Sequence, residues 1–185
     1  MHTVTDQELA ARTLRGDKLA FGILVERYQG SIFSVGYRMH GNAKLAEDMS
    51  QETFIRAYQR IESYDPSRTF GPWIRRIAVN LSLNLLAKKR FEQLPFEEFS
   101  EIIIQKPGRE TEQKVLMDES SQELHQAILQ LPSAQIAVIE MHHFQHMSYA
   151  EIADQLKMPI NTVKSHLYRA RKYLAKILRN NSDEE

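Results

Sequence analysis

The chain has 185 residues, enough for one large domain or two small ones. Hydrophobic residues make up 42% and charged residues 26%, a composition that folds, and the absence of cysteine excludes disulfides, thiolate zinc sites and cysteine nucleophiles. The formal net charge is zero, which looks unfavourable for a polyanionic partner, but the charge is unevenly spread. Residues 54–90 hold eight Lys and Arg against Glu62 and Asp65. Residues 91–123 hold nine acids against Lys106, Arg109 and Lys114. Residues 147–181 hold seven bases against Glu151 and Asp154. Two basic blocks flank an acidic one, and it is the local field rather than the net charge that steers nucleic acid. No apolar run is long enough to span a bilayer, and the N-terminal stretch MHTVTDQELAART lacks the pattern of a signal peptide. A reducing, cytoplasmic location is expected.

In chain order, residues 6–15 form a first helix stopped by Gly16. Asp17 caps a longer helix to about Met39, with Phe21, Leu24, Val25, Tyr28, Ile32 and Phe33 buried. Gly41 ends it and Asn42 caps the next, over residues 43–61. Ala46, Met49, Thr53, Ala57 and Ile61 face inward there, helped by Phe54 and Tyr58. Asp48, Gln51, Glu52 and Ile55 share another face. A carboxylate and amide cluster of this kind suits an Arg-bearing partner helix. Its commoner fate is simply to be solvated.

Tyr64-Asp65-Pro66 makes a turn, and residues 70–90 a helix with Gly71-Pro72 at its start, where proline is tolerated. Trp73, Ile77, Leu81 and Leu85 lie along one face, with Trp73 placed in the core. Arg76, Asn80, Asn84 and Lys88 follow at four-residue steps along another. Basic and amide side chains beside aromatics suit single-stranded DNA: the cations track phosphates and an amide can read a base edge. Residues 91–117 carry Pro95, Pro107 and Gly108 in an acidic setting, interrupted by the apolar Ile102-Ile103-Ile104, and are expected to form a linker.

A second pair of helices spans residues 118–144. Leu124, Ile128 and Leu131 line the first. Leu131-Pro132-Ser133 breaks to the second, where Ile136, Val138, Ile139 and Met141 supply core. His142, His143 and His146 follow. A zinc site wants about four ligands, and no cysteine or nearby carboxylate completes this set, so no metal is assigned. No Gly-rich phosphate loop and no nucleophile beside a base occurs either, which leaves no enzyme and no cofactor to assign.

Residues 148–174, SYAEIADQLKMPINTVKSHLYRARKYL, are the most informative stretch. Ser148 and Glu151 have the capping-box spacing, with Met147 and Ile152 placed as a hydrophobic staple over it. Ile152, Ala153 and Leu156 form the inner face of a short helix that Pro159 cannot continue. Asn161 is expected to cap a second helix starting at Thr162. Val163, Leu167, Ala170 and Leu174 then face inward. Thr162, Ser165, His166, Arg169 and Lys172 face outward, with Lys164, Tyr168 and Arg171 on the flanks. A polar helix edged with Lys and Arg is what a DNA major groove admits.

This last stretch resembles the minus-35-reading half of a sigma-70 family RNA polymerase sigma factor, through SYAEIADQL followed by P-x-N-T-V-K-S-H-L-Y-R-A-R. The family usually has Gly where Lys157 and Asn161 stand, often Gly where His146 stands, and often Arg where His166 stands. The string AEDMSQETFIRAY resembles the family's segment that docks on the polymerase core, and IAVN its minus-10-reading and melting helix. The resemblance, which points to the small extracytoplasmic-function (ECF) type, implies an all-α fold of two small helical domains. These would be a region 2-like domain over residues 1–90 and a region 4-like helix-turn-helix domain over residues 118–181, joined by a flexible linker over 91–117. It implies minus-35 contacts from Tyr149, Asn161, Thr162, Lys164, Ser165, His166, Tyr168, Arg169 and Arg171. Minus-10 contacts would come from Arg76, Asn80, Asn84 and Lys88, and core-binding or supporting roles would fall to Asp48, Gln51, Glu52 and Phe54. The implied partners are core RNA polymerase, promoter DNA and an anti-sigma factor, with no membrane insertion. A helix-turn-helix regulator that does not bind polymerase is the rival reading. It would explain residues 148–174 and leave AEDMSQETFIRAY without a purpose.

Overall fold

The structure, a computed structural model, describes residues 4–92 and 119–182. The expected linker therefore lies outside the described residues, Ile102–Ile104 included, except for Phe91 and Glu92, which end a helix. Among the described residues the regular structure is helical throughout: α1 (Asp6–Leu14), α2 (Lys18–His40), α3 (Ala43–Gln59), α4 (Phe70–Glu92), α5 (Glu119–Leu129), α6 (Ser133–Ile139), α7 (Tyr149–Leu156) and α8 (Ile160–Ser182). A 3₁₀ turn follows α3 and a π turn follows α6. The chain divides into two compact units, Met1–Tyr37 with Lys44–Ser82 and Arg38–Ala43 with Leu83–Glu185.

In the first unit, helix starts and stops follow local chemistry. Thr5 caps α1 by accepting from the Glu8 N–H, and Gly16, at φ +92°, makes the turn to α2. Asp17 then accepts from the Ala20 N–H at 3.1 Å and from Arg12 at 2.8 Å. The Arg12 bond is the main reason its carboxyl titrates below the usual range. Asp6 ties α1 to α2 by accepting from Arg27 at 2.7 Å and from the Tyr28 hydroxyl at 2.5 Å. Burial first, and Asp6 second, push the Tyr28 phenol up to about 12.

The core of this unit collects Leu9, Leu24, Ile32, Val35, Ala46, Met49, Ala57, Ile74 and Val79, each at most 3% exposed. Burying one such large side chain stabilises the fold by about 1.5–3 kcal/mol. Gly36 lets α2 and α3 approach closely, since a Cβ there would stand 3.1 Å from the Ala46 Cα. Of the residues expected inside α2, Phe21, Leu24 and Ile32 are buried, whereas Val25, Tyr28 and Phe33 are half-buried. Tyr58, expected to help the inward face of α3, is 37% exposed and meets the Phe21 ring edge-on. Trp73 is half-buried in a ring cluster with Tyr64 and Phe70, at centroid distances of 5.2 to 5.4 Å.

In the second unit α8 packs against α5, α6 and α7. Leu124 does not line this core. It is 37% exposed, while His125, Ala127, Ile128 and Leu131 are buried. The buried face of α5 runs through 125 and 128, and Leu124 falls on its edge. Ile136, Val138, Ile139 and Met141 are buried as expected. The Gln145 N–H reaches back to the Glu140 carbonyl at 3.1 Å, closing the π turn that carries His142 and His143.

Candidate nucleic-acid interface

The interface is built on a helix-turn-helix, and local chemistry sets both helices. Ser148 and Glu151 form the full capping box at the start of α7, and the Ser148 bonds hold the Glu151 carboxyl below its usual pKa. Ile152 beneath them is completely buried. Lys157 ends α7 in the left-handed region at φ 52°, and His146 stands at φ 56° in the turn before it. These are two of the positions where the family pattern has glycine, and each non-glycine residue holds a conformation that L side chains resist.

The second helix begins earlier than expected. Asn161 is not its N-cap. α8 starts at Ile160, and the Pro159 carbonyl accepts from the N–H groups of Thr162 and Val163 at 2.9 and 3.2 Å. Proline's fixed φ prepares the helix directly behind it, so Asn161 sits inside the first turn with an exposed side chain. Val163, Leu167, Ala170 and Leu174 are buried at 9% exposure or less. Their burial turns Lys164, Ser165, Tyr168, Arg169, Arg171 and Lys172 to the outside, while Thr162 and His166 are half-buried.

A shallow depression on this face is lined by Lys164, Ser165, Tyr168 and Arg169. Tyr168 is 68% exposed, an aromatic ring held outward among cations. Among the described residues Lys164, Arg169 and Lys172 make no salt bridge, so their charge is available to a ligand. The His166 Nδ1 is buried without a hydrogen-bond partner among the described residues. A second proton there would lack an acceptor. Desolvation and then the nearby Arg169 hold this ring below the usual histidine pKa. Tyr149, half-buried at the start of α7, has its ring 5.0 Å from that of His142.

The other two groups of residues lie on other helices. Arg76, Asn80, Asn84 and Lys88 are all exposed along α4, opposite the buried Ile74, Ala78, Leu81 and Ser82. On α3, Asp48 and Gln51 are exposed and Glu52 is half-buried. Asp48 pairs with Lys44 at 3.1 Å, and Glu52 with Arg56 at 2.6 Å. Phe54 is only 7% exposed, against Phe21, so it supports this face from beneath. Ile55, absent from the expected site set, is 52% exposed between Asp48 and Glu52 on one side and Tyr58 on the other. An isoleucine on the polar face of an amphipathic helix was the available signal for it.

Among the described residues no helix is long and apolar enough to cross a membrane. The molecule is thus an all-helical protein whose helix-turn-helix presents an open basic face of the kind that enters duplex DNA. Residues 24–92 match the family model for Sigma-70 region 2, and residues 121–174 that for Sigma-70, region 4. The ECF RNA polymerase sigma factor SigW of Bacillus subtilis (strain 168) is 37% identical over 174 residues, covering 89% of this chain and 92% of that one. The RNA polymerase sigma-H factor of Pseudomonas aeruginosa is 35% identical over 182 residues, covering 94% and 93%. The solved structure of CnrH in complex with the cytosolic domain of CnrY shares the fold, with a TM-score of 0.65 at 23% identity over 95% of this chain and 97% of that one. The sigma factor RpoE in complex with the anti-sigma factor NepR, from Bartonella quintana, gives a TM-score of 0.63 at 20% identity, covering 86% and 96%. The chain belongs to the sigma-70 family of RNA polymerase sigma factors. Within it the chain is an ECF sigma factor, a promoter-directing transcription initiation factor and not an enzyme.

Proposed function

We propose that the work of initiation is divided among three helical faces of this chain. α8 lies in the major groove of the minus-35 element, where Lys164 and Arg169 donate to base edges. Asn161, Thr162, Ser165, His166 and Tyr168 line the same groove, and Tyr149 and Arg171 hold the backbone. α4 engages the minus-10 element, with Asn80 and Asn84 at base edges of the opened strand and Arg76 and Lys88 on phosphates. Asp48, Gln51 and Glu52, backed by Phe54, dock on core RNA polymerase. The region 2-like part over residues 1–90 and the region 4-like part over 118–181 act as separate domains joined by residues 91–117. The chain works in the cytoplasm and is held in check by an anti-sigma factor.

The observation that carries this reading is the face of α8. Its cations are exposed and make no salt bridge among the described residues, on a helix whose inner side is fully committed to the core. Opposite charges three or four residues apart would stabilise such a face by roughly 0.2–0.5 kcal/mol per pair, and this face forgoes them. A face left cationic gains its stabilisation from phosphate and from base acceptors. Run-off transcription with core polymerase on genomic fragments tests the proposal. The chain should select a small set of promoters sharing an upstream element, and Arg169→Ala should lose that selection. Unselective transcription by the parent chain would overturn it.

A further inference from the structure

His143 lies on the π turn, outside every residue assigned to DNA above, yet it faces Arg171 of α8. Its Nε2 sits 3.4 Å from the Arg171 Nε and 3.3 Å from Nη2, so two guanidinium donors share one imidazole acceptor. Both contacts are long for hydrogen bonds. A single acceptor cannot satisfy two donors well, and the guanidinium has further N–H groups pointing elsewhere. Both side chains are exposed, so an arriving group has access to them.

The charges around His143 are all of one sign. Arg171 faces it from α8, His142 adjoins it on the π turn with ring centroids 5.0 Å apart, and His146 follows in the next turn. His142 is itself engaged, its Nδ1 3.0 Å from the Met147 carbonyl and its ring against Tyr149. Partial desolvation first, and then Arg171, His142 and His146, hold His143 below the usual histidine pKa. In the free protein at neutral pH the ring is therefore uncharged and accepts from Arg171.

We propose that Arg171 and His143 together form a phosphate clamp on the minus-35 duplex, which closes with the uptake of one proton. An uncharged imidazole offers Arg171 a weak, shared acceptor. A phosphate oxygen offers a charged acceptor with room for several donors. Once Arg171 turns to it, His143 loses its bond to the guanidinium and comes to face an anion. Its ring then takes a proton and donates to a phosphate oxygen as a second cation. The inference rests on the reading of α8 as the groove helix with Arg171 at the backbone. It adds a second phosphate contact from another element and a dependence on pH.

The test uses holoenzyme assembled from core polymerase and the full chain, titrated against a fluorescent duplex carrying the minus-35 element of a promoter found by run-off transcription. Affinity should rise about three- to tenfold as pH falls from about 7.5 to about 6, the range in which histidine charges. His143→Gln, which stays neutral, should lose most of this gain, leaving only the share of His166 and other groups. His143→Lys, always charged, should bind at about pH 7.5 nearly as tightly as the parent at about pH 6. The salt dependence of the parent should steepen on acidification by about one phosphate contact, a slope change of about 0.9, and that of His143→Gln should not. A full acid gain and the parent's steepening of the salt slope, both retained in His143→Gln, would overturn the clamp while leaving α8 as the reader. Loss of sequence preference in the parent at every pH would instead overturn the reading of α8, and the clamp with it.

Discussion

α3 and α8 are both amphipathic helices with fully buried inner faces, and they differ in how their outer charges are settled. On α3 the acids are answered within the helix, Asp48 by Lys44 and Glu52 by Arg56. An exposed isoleucine, Ile55, stands among them. On α8 the cations Lys164, Arg169 and Lys172 have no salt-bridge partner among the described residues. Exposed i,i+4 pairs are worth only a few tenths of a kcal/mol, so a partner can displace them cheaply. A self-neutralised face with an apolar centre suits a protein partner, because interface cores are depleted in charge and rimmed with polar groups. A face of unanswered cations suits a polyanion, which supplies the missing charge itself.

The contrast can be broken at either helix. The largest effect is expected on α3. Glu52→Lys should weaken association with core polymerase by several kcal/mol, since it frees Arg56 and reverses the charge on the face proposed to dock there. Ile55→Asp should act in the same direction through lost apolar contact. Competition for core polymerase against another sigma factor measures both, and unchanged competition would remove this face from the interface. Next in size is Arg169→Ala on α8. It should cost about 1–3 kcal/mol of discrimination at one or two upstream base pairs. Its affinity for core polymerase should match that of the parent. A variant that lost polymerase while keeping promoter preference would reverse the two assignments.

Smaller effects sharpen the comparison. Lys157→Gly should raise the thermal midpoint, with a gain of roughly 0.5–1 kcal/mol, because glycine relieves the left-handed backbone at φ 52° at some cost in chain entropy. Promoter choice should not change, since this residue closes the turn and pairs with Asp154 of its own helix at 2.9 Å rather than lying on the face of α8. An unchanged or lower midpoint would mean that the strain is already relaxed. The smallest effect concerns pH. The folded-state pKa values of His143 and His166 are both lowered, so the unfolded chain binds protons first as pH falls. Stability from these two groups is present above the ordinary histidine pKa near 6.5 and is lost as pH falls through it. Urea midpoints at about pH 7.5 and about pH 5.5 should show this loss, and the double variant His143→Gln/His166→Gln should show less of it.

Much of this was legible in the residues alone. Helix existence, the capping box at Ser148, the inward set Val163, Leu167, Ala170 and Leu174, and the exposed row Arg76, Asn80, Asn84 follow from the 3.6-residue period and from side chains that bond their own backbone. Those are local effects, and the sequence states them directly. The exposed faces of α3 and α8 followed with them, because a helix that buries one side must present the other.

Tertiary structure decided what depends on more than one element. Pattern alone put Leu124 inside. Packing against α8 rotated the buried face of α5 onto His125 and Ile128. Asn161 looked like a cap because its side chain can be one, but the Pro159 carbonyl took the first donors and moved the helix start to Ile160. Phe54 and Ile55 are adjacent apolar residues with opposite fates, since Phe21 on α2 covers one and the other is left 52% exposed. The contact between His143 and Arg171 joins residues 28 positions apart. No periodicity within one helix can announce it, because it arises only where the π turn and α8 come together in the fold.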